Sequence, residues 1–226
     1  MTVPGACGVQ AVLFDFDGTL VDSARDLAAA ANTMRAARGL APLDYERLRC
    51  HAGSGARGML GEAFDCRPGD TGYESLRVEF LDLYERAMLD TAVVFHGVAE
   101  LLDDLVSRGL RWGIVTNKAL RFAGPMVTAL RLAPSVLVGG DSTPHTKPHP
   151  APLLHAADCL GVAPGRCVYV GDDRRDMLAA QAAGIEGWAA AWGYLGPGVG
   201  LDDLAGWPAA RVITAPKDIR LALDPT

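Results

Sequence analysis

The chain has no long uniformly apolar run, so nothing in it reads as a membrane-spanning helix. It has no C-x-x-C pair, and its five cysteines (Cys7, Cys50, Cys66, Cys159 and Cys167) are an odd number. That pattern argues against a disulfide framework or a zinc site and fits small, buried or half-buried thiols in a reducing compartment. The five histidines (His51, His96, His145, His149 and His155) lack the spacing that puts two metal ligands on one helix face. Positive charge is also short: the formal net charge is −6. Nucleic acid and anionic membranes are therefore not expected as partners, and an anionic substrate would need local positive charge from a metal ion or a few Lys and Arg residues. The first ten residues carry no Lys or Arg, which predicts no secretory leader and a cytoplasmic location. No internal repeat and no low-complexity segment is present, and monomer is the default expectation for assembly.

What is present centres on Val12-Leu13-Phe14-Asp15-Phe16-Asp17-Gly18-Thr19-Leu20. A short apolar stretch, residues 9–14, has strand composition and ends in two carboxylates one residue apart. A strand running into an Asp-Gly turn is common and by itself says little. A carboxylate pair at the C-terminal edge of a strand is also where open α/β sheets carry their chemistry. Two such groups repel each other unless a cation lies between them or one holds a proton.

After Leu20 the pattern changes. Residues 22–38, 44–50, 56–64 and 73–89 read as helices, with no convincing strand from 22 to 89. From Val93 onward strands and helices alternate. Strands are expected at 111–115, 135–138, 167–170 and 186–191, and helices at 98–108, 120–132, 150–160 and 174–183. Short closing elements are expected at 201–205, 211–214 and 217–223. Alternation of this kind predicts a parallel sheet covered by helices on both faces. The fold class is therefore α/β, with a helical segment inserted after the first strand. Crossings near Val21-Asp22 and residues 90–94 would act as hinges.

Four strand ends carry polar groups: Asp15 and Asp17; Thr116 and Asn117; Lys147, beyond a strand and a loop; and Asp172, Asp173 and Asp176. In a parallel sheet these ends share one edge. Carboxylates so gathered call for a divalent cation, and an all-oxygen site favours Mg²⁺. In the helical segment, His51 to Gly58 is the informative loop. Its glycines leave the N–H groups of Ser54, Gly55, Ala56 and Arg57 as an anion- or hydroxyl-binding surface at a helix start, and Arg57 offers a cation to a carboxylate.

These residues together resemble the haloacid dehalogenase superfamily in its phosphatase branch. Asp15-Phe16-Asp17-Gly18-Thr19-Leu20 is similar to the first motif of that family, Thr116 to the second, Lys147 to the third, and Gly171-Asp172-Asp173-Arg174-Arg175-Asp176 to the fourth. The resemblance implies a Rossmann-like parallel-sheet core over residues 1–21 and 90–226 and an α-helical cap over residues 22–89. It implies Asp15 as nucleophile and Asp17 as general acid and base. Mg²⁺ would be held by Asp15, the Asp17 backbone carbonyl and Asp172, with Asp176 behind a water. Thr116, Asn117 and Lys147 are the implied phosphate ligands, and Ser54, Gly55 and Arg57 the implied readers of the leaving group. Asp173 is left to cap a helix or orient water, and Lys118 has no assigned role.

The wording of Thr116-Asn117-Lys118, Lys147-Pro148 and Trp192-Gly193-Tyr194 is similar to the phosphoglycolate phosphatase group. Val94-Phe95-His96-Gly97 and Leu153-Leu154-His155-Ala156 also resemble phosphatases of N-acetylmuramic acid 6-phosphate. The implied partner is a small phosphorylated metabolite bearing a carboxylate. The absence of lysine from Asp22 to Asp90 speaks against the Schiff-base route of phosphonatases. A phosphomutase and a non-catalytic phosphometabolite-binding protein are the remaining alternatives.

Overall fold

The computed structural model describes residues 8–224. In chain order, β1 (Ala11–Phe14) and β2 (Val21–Asp22) precede four helices, α1 (Ala24–Ala37), α2 (Tyr45–Arg49), α3 (Gly55–Phe64) and α4 (Tyr73–Ala87). After β3 (Val93–Val94) come α5 (Val98–Ser107), β4 (Arg111–Val115), α6 (Leu120–Ala129), β5 (Val136–Val138) and α7 (Ala151–Leu160). The chain then runs through β6 (Cys167–Gly171), α8 (Arg174–Ala183), β7 (Glu186–Ala190), β8 (Arg211–Ile213) and α9 (Pro216–Leu223).

Six strands form one parallel sheet in the order β5-β4-β1-β6-β7-β8. The first strand is thus central, and the chain leaves it in opposite directions to β4 and to β6. Such a reversal opens a crevice beyond the carboxyl ends of the strands. The side-chain period of two explains why both faces are covered. Val12 and Phe14 pack into one buried cluster, with residues of α5, α6 and α9. Ala11 and Leu13 pack into another, with residues of α7 and α8. Register is set by Phe14, opposite Ile114 on one side and Val170 on the other, so Asp15 emerges level with the ends of both neighbours.

The expected hinges prove to be a paired ribbon. Val21 and Asp22 lie antiparallel to Val94 and Val93, and Phe95 N–H donates to the Leu20 carbonyl at 3.0 Å. Because the backbone of residues 21–22 is spent on that pairing, α1 starts at Ala24 rather than at Asp22. Ser23 stands at its N-cap but gives it no side-chain bond. The loop expected at 51–55 contains a 3-10 turn, Ala52–Ser54. α6 ends at Ala129, before the expected 132, with Arg131 in the left-handed region (φ 56°). The closing element at 201 is a 3-10 helix, Leu201–Gly206. Cys50, Cys66, Cys159 and Cys167 are free thiols, Cys159 exposed rather than buried, and Cys7 lies outside the described residues.

Asp26 ties the two crossings together. It is buried in the first turn of α1, and its carboxylate accepts from Thr91 N–H, Thr91 Oγ1 and Ala92 N–H. Removing it strands the buried Ala92 N–H and frees the Thr91 donors. Asp26→Ala is expected to lower the unfolding free energy by about 3 kcal/mol, because bonds to a charged acceptor contribute most. Urea denaturation checks this, and a loss below about 0.5 kcal/mol, the range of an ordinary surface change, would contradict it.

Candidate active site

The strand ends converge as the topology requires. Asp15 follows β1, Thr116 follows β4 and Asp172 follows β6, while the loop after β5 brings in Lys147. One carboxylate oxygen from each of Asp15, Asp172 and Asp176 lies within 4.8 Å of the others. Lys147 Nζ is 2.9 Å from Asp15 Oδ1 and 2.7 Å from Asp176 Oδ1, and its side chain is 2% exposed. It also donates to Tyr169 Oη at 2.7 Å, and Tyr169 in turn donates to the Val115 carbonyl. Burial works against the Lys147 ammonium, but Asp15 and Asp176 outweigh it and hold the pKa above its ordinary value.

Glycine makes this density possible. A Cβ on Gly18, whose φ is +88°, would lie 2.2 Å from Asp172 Oδ2. A Cβ on Gly193 would lie 2.1 Å from the Asp172 Cβ, and one on Gly171 would strike Asp176 Oδ2 at 2.4 Å. The backbone therefore closes on the two carboxylates from three sides. Thr19 Oγ1 donates to Asp172 Oδ1 at 2.9 Å, and Tyr194 N–H to Asp172 Oδ2 at 2.7 Å.

One lysine does not balance three carboxylates, two of them buried. Burial, with Asp15 and Asp176 adding to it, pushes Asp172 well above the carboxylate range. Burial pushes Asp176 up to about 6, against the pull of Lys147. The buried Asp15 Oδ1 has no hydrogen-bond donor in angular reach, although Lys147 is close. A ligand-poor, all-oxygen cluster of this kind fits a hard divalent cation. Asp15, Asp172 and Asp176 are the residues placed to hold one. The Asp17 carboxylate is turned elsewhere, so any part Asp17 has in cation binding falls to its backbone carbonyl.

Asp17 is instead held by Lys118 and Ser23. Lys118 Nζ lies 3.0 Å from both Asp17 oxygens and donates to Tyr84 Oη at 2.8 Å. Ser23 Oγ donates to Asp17 Oδ1 at 2.5 Å, which is what this residue does in place of capping α1. Burial opposes the Lys118 charge, but Asp17 and Tyr84 more than restore it and keep the ammonium protonated. No spacing rule in the sequence marks Lys118, Tyr84, Tyr169 or Tyr194. The adjacency of Lys118 to Thr116 at a strand end was the signal for the first of them.

The remaining site residues fall in different places. Thr116 is buried at the strand end, and its Oγ1 accepts from Lys118 N–H at 3.2 Å, which leaves its own proton to donate. The Asn117 side-chain amide bonds both N–H and carbonyl of Lys147, at 2.9 Å each, so it clamps the loop that carries the lysine, while Asn117 also lines the cleft. Asp173 caps α8 in a capping box with Asp176 and pairs with Arg175 at 2.6 Å. Burial would raise Asp173, but the Arg175 contacts bring it below its ordinary value. Arg175 also donates to the Gly53 carbonyl at 2.8 Å, across to the helical segment. His145 and His149 are exposed, with rings 4.2 Å apart.

A cleft of about 680 Å³ opens over the cluster. Asp15, Asp17, Thr116 and Lys147 line one side, and Ser54, Gly55, Arg57, Val78, Phe80 and Leu81 line the other. The anion-binding surface expected at 54–57 is smaller than anticipated. Ser54 N–H donates to the His51 carbonyl and Gly55 N–H to the Ala52 carbonyl, because the 3-10 turn consumes both. Ser54, Gly55 and Arg57 nonetheless face the cleft, with Arg57 exposed.

A family model described as "Haloacid dehalogenase-like hydrolase" matches residues 12–190. A phosphoglycolate phosphatase of Xanthomonas campestris pv. campestris is 44% identical over 212 residues, covering 93% of this chain and 94% of the relative. An N-acetylmuramic acid 6-phosphate phosphatase of Pseudomonas aeruginosa is 40% identical over 218 residues, covering 96% and 95%. Among solved structures, a predicted phosphoglycolate phosphatase from Haemophilus somnus 129pt superposes with a TM-score of 0.81 at 24% identity, covering 95% of this chain and 98% of the other; that likeness concerns the fold.

The raised carboxylates set a pH signature. With Asp172 and Asp176 above their unfolded values, the cation-free folded chain holds protons that the unfolded chain releases. Stability from this cluster therefore falls as pH climbs from about 4 through about 6. A divalent cation relieves the repulsion and competes with those protons. The rise in Tm on adding it should be larger near about pH 7.5 than near about pH 5, and should vanish in Asp172→Asn. A shift that is equal at both pH values, or that survives in Asp172→Asn, would place the cation elsewhere.

Proposed function

The chain belongs to the haloacid dehalogenase-like hydrolase family, and from that footing we propose that it is a Mg²⁺-dependent phosphomonoesterase working through an aspartyl-phosphate on Asp15. The carrying observation is the placement of Asp15: it stands at the end of the central strand, with Oδ1 buried against the Lys147 ammonium at 2.9 Å, on a cleft that Lys147 and Thr116 also line. Asp15, Asp172 and the Asp17 carbonyl, backed by Asp176, would hold Mg²⁺. Bound there, the ion offsets carboxylate charge and draws electron density from the phosphoryl oxygens.

Asp15 attacks phosphorus in line with the departing alcohol oxygen. Asp17 gives that oxygen a proton, then takes one from the water that releases inorganic phosphate and restores Asp15. Lys147 and the Thr116 hydroxyl hold the phosphoryl oxygens, and the Asn117 clamp keeps the Lys147 loop in register. Residues 22–89 serve as a cap that excludes water, seated on a core of residues 1–21 and 90–226. Ser54, Gly55 and Arg57 read the leaving group, with Arg57 meeting a carboxylate.

The first substrate is 2-phosphoglycolate, which the names of several relatives support. A second reading has its own support. A cleft of about 680 Å³ with Val78, Phe80, Leu81 and Phe122 in its walls leaves apolar space that a two-carbon acid does not fill. N-acetylmuramic acid 6-phosphate, the substrate named for other relatives, would occupy it.

Phosphate release from para-nitrophenyl phosphate should require Mg²⁺ and fall to background in Asp15→Asn. Wild-type release no higher than that of Asp15→Asn would leave only a phosphometabolite-binding protein. Comparison of kcat/KM for the two named phosphomonoesters decides between the readings. Arg57→Ala should cost about tenfold or more on either carboxylate substrate, as expected for a lost charge-assisted bond, and far less on para-nitrophenyl phosphate. Equal losses on both would remove Arg57 from specificity.

A further inference from the structure

Two side chains from outside its own strand end bond the Asp17 carboxylate, and a third bonds one of those two. Lys118, in the turn after β4, reaches both carboxylate oxygens. Ser23, at the start of the helical segment, holds Oδ1. Tyr84, buried in α4 at the far end of that segment, accepts from the same Lys118 ammonium at 2.8 Å and lies beneath it as an aromatic face, 4.7 Å from Nζ to ring centre. The Lys118 side chain is only 7% exposed, so water does not share this role. Tyr84 is itself pinned, stacked on Phe80 and tilted against Phe122. Oδ1 thus carries two donors and Oδ2 one, which leaves room at Oδ2 for a transferring proton.

We infer that Lys118 is a positioning residue that fixes the Asp17 carboxylate for water attack on the phosphoenzyme, and that Tyr84 makes this placement depend on the seating of the helical segment. The inference rests on the reading of Asp15 and Asp17 given above. In the step concerned, a water oxygen bonds to phosphorus as the bond from phosphorus to Asp15 breaks. The water proton passes to Asp17 Oδ2, and inorganic phosphate leaves. A cap that is not seated would lack Tyr84 against Lys118, so the ammonium that holds both Asp17 oxygens would lose its support on the other side. This arrangement uses a phenol in one layer and an ammonium in another to couple closure to chemistry.

The test is the pre-steady-state course of para-nitrophenyl phosphate hydrolysis, whose leaving group departs as an anion without needing a proton. Lys118→Met should release one equivalent of para-nitrophenolate per site as a burst. Its steady rate should then be on the order of 100-fold below wild type, the scale of a lost general base, while Asp15 stays phosphorylated. Tyr84→Phe, which keeps the ring and removes the hydroxyl, should show the same pattern with about a fivefold loss, equivalent to one hydrogen bond. Asp17→Asn is the reference and should stall in the same way. If it stalls and Lys118→Met shows burst and steady phases falling together, or no loss, the role of Lys118 is overturned while that of Asp17 stands. If Asp17→Asn does not stall, the reading of the two aspartates falls and this inference with it. Should Lys118→Met not fold, the Tyr84→Phe course decides, and parallel loss in both of its phases overturns the coupling.

Discussion

Mutual repulsion among Asp15, Asp172 and Asp176 is the constraint on which the rest of this structure depends. Three carboxylates meet at the edge of a parallel sheet, two of them almost wholly out of water, with one lysine ammonium among them. Left to themselves such groups are costly to bury. The chain meets the cost locally with backbone and hydroxyl donors, from Tyr194 N–H and Thr19, and with close glycine approaches at Gly18 and Gly193. What these donors do not offset appears as the raised Asp172 and Asp176. A site left short of positive charge suits a divalent cation.

The second organising contact lies between the layers. The helical segment is fastened at its root by the β2–β3 ribbon and by Asp26, and touches the carboxylate-bearing sheet edge through a few polar bonds. Those include Ser23 to Asp17, Tyr84 to Lys118 and Arg175 to the Gly53 carbonyl. The root combines ribbon pairing with three bonds to one Asp26 carboxylate, whereas Ser23, Tyr84 and the Gly53 carbonyl each make one hydrogen bond across to the sheet edge. That contrast suits a segment that stays attached while its cleft-facing surface exchanges partners.

Much of this was legible in the sequence, for identifiable reasons. Periodicity locates the parallel strands, and the rule that the strand ends of a parallel sheet share an edge places Asp15, Thr116, Lys147 and Asp172 together. The departures come from contacts made across the fold. Asn117 reads as a phosphate ligand because it follows Thr116, yet its amide is spent on the Lys147 backbone thirty residues away. Ser23 reads as a helix cap but is drawn to Asp17. The N–H groups of Ser54 and Gly55 look free until a 3-10 turn forms ahead of them. Lys118, Tyr84, Tyr169 and Asp26 act as isolated polar side chains, and neither local propensity nor spacing marks which partner such a residue will find.

The central claim is that the Asp15 carboxylate is a nucleophile, made usable by a cation in the carboxylate cluster. Its most direct measurement is acid-quenched, peptide-resolved mass spectrometry of the protein during turnover, with and without Mg²⁺. The account predicts a phosphoryl adduct on the peptide carrying Asp15, formed with Mg²⁺ and absent after chelation. An adduct on another residue, or turnover with no adduct at any quench time, would contradict it.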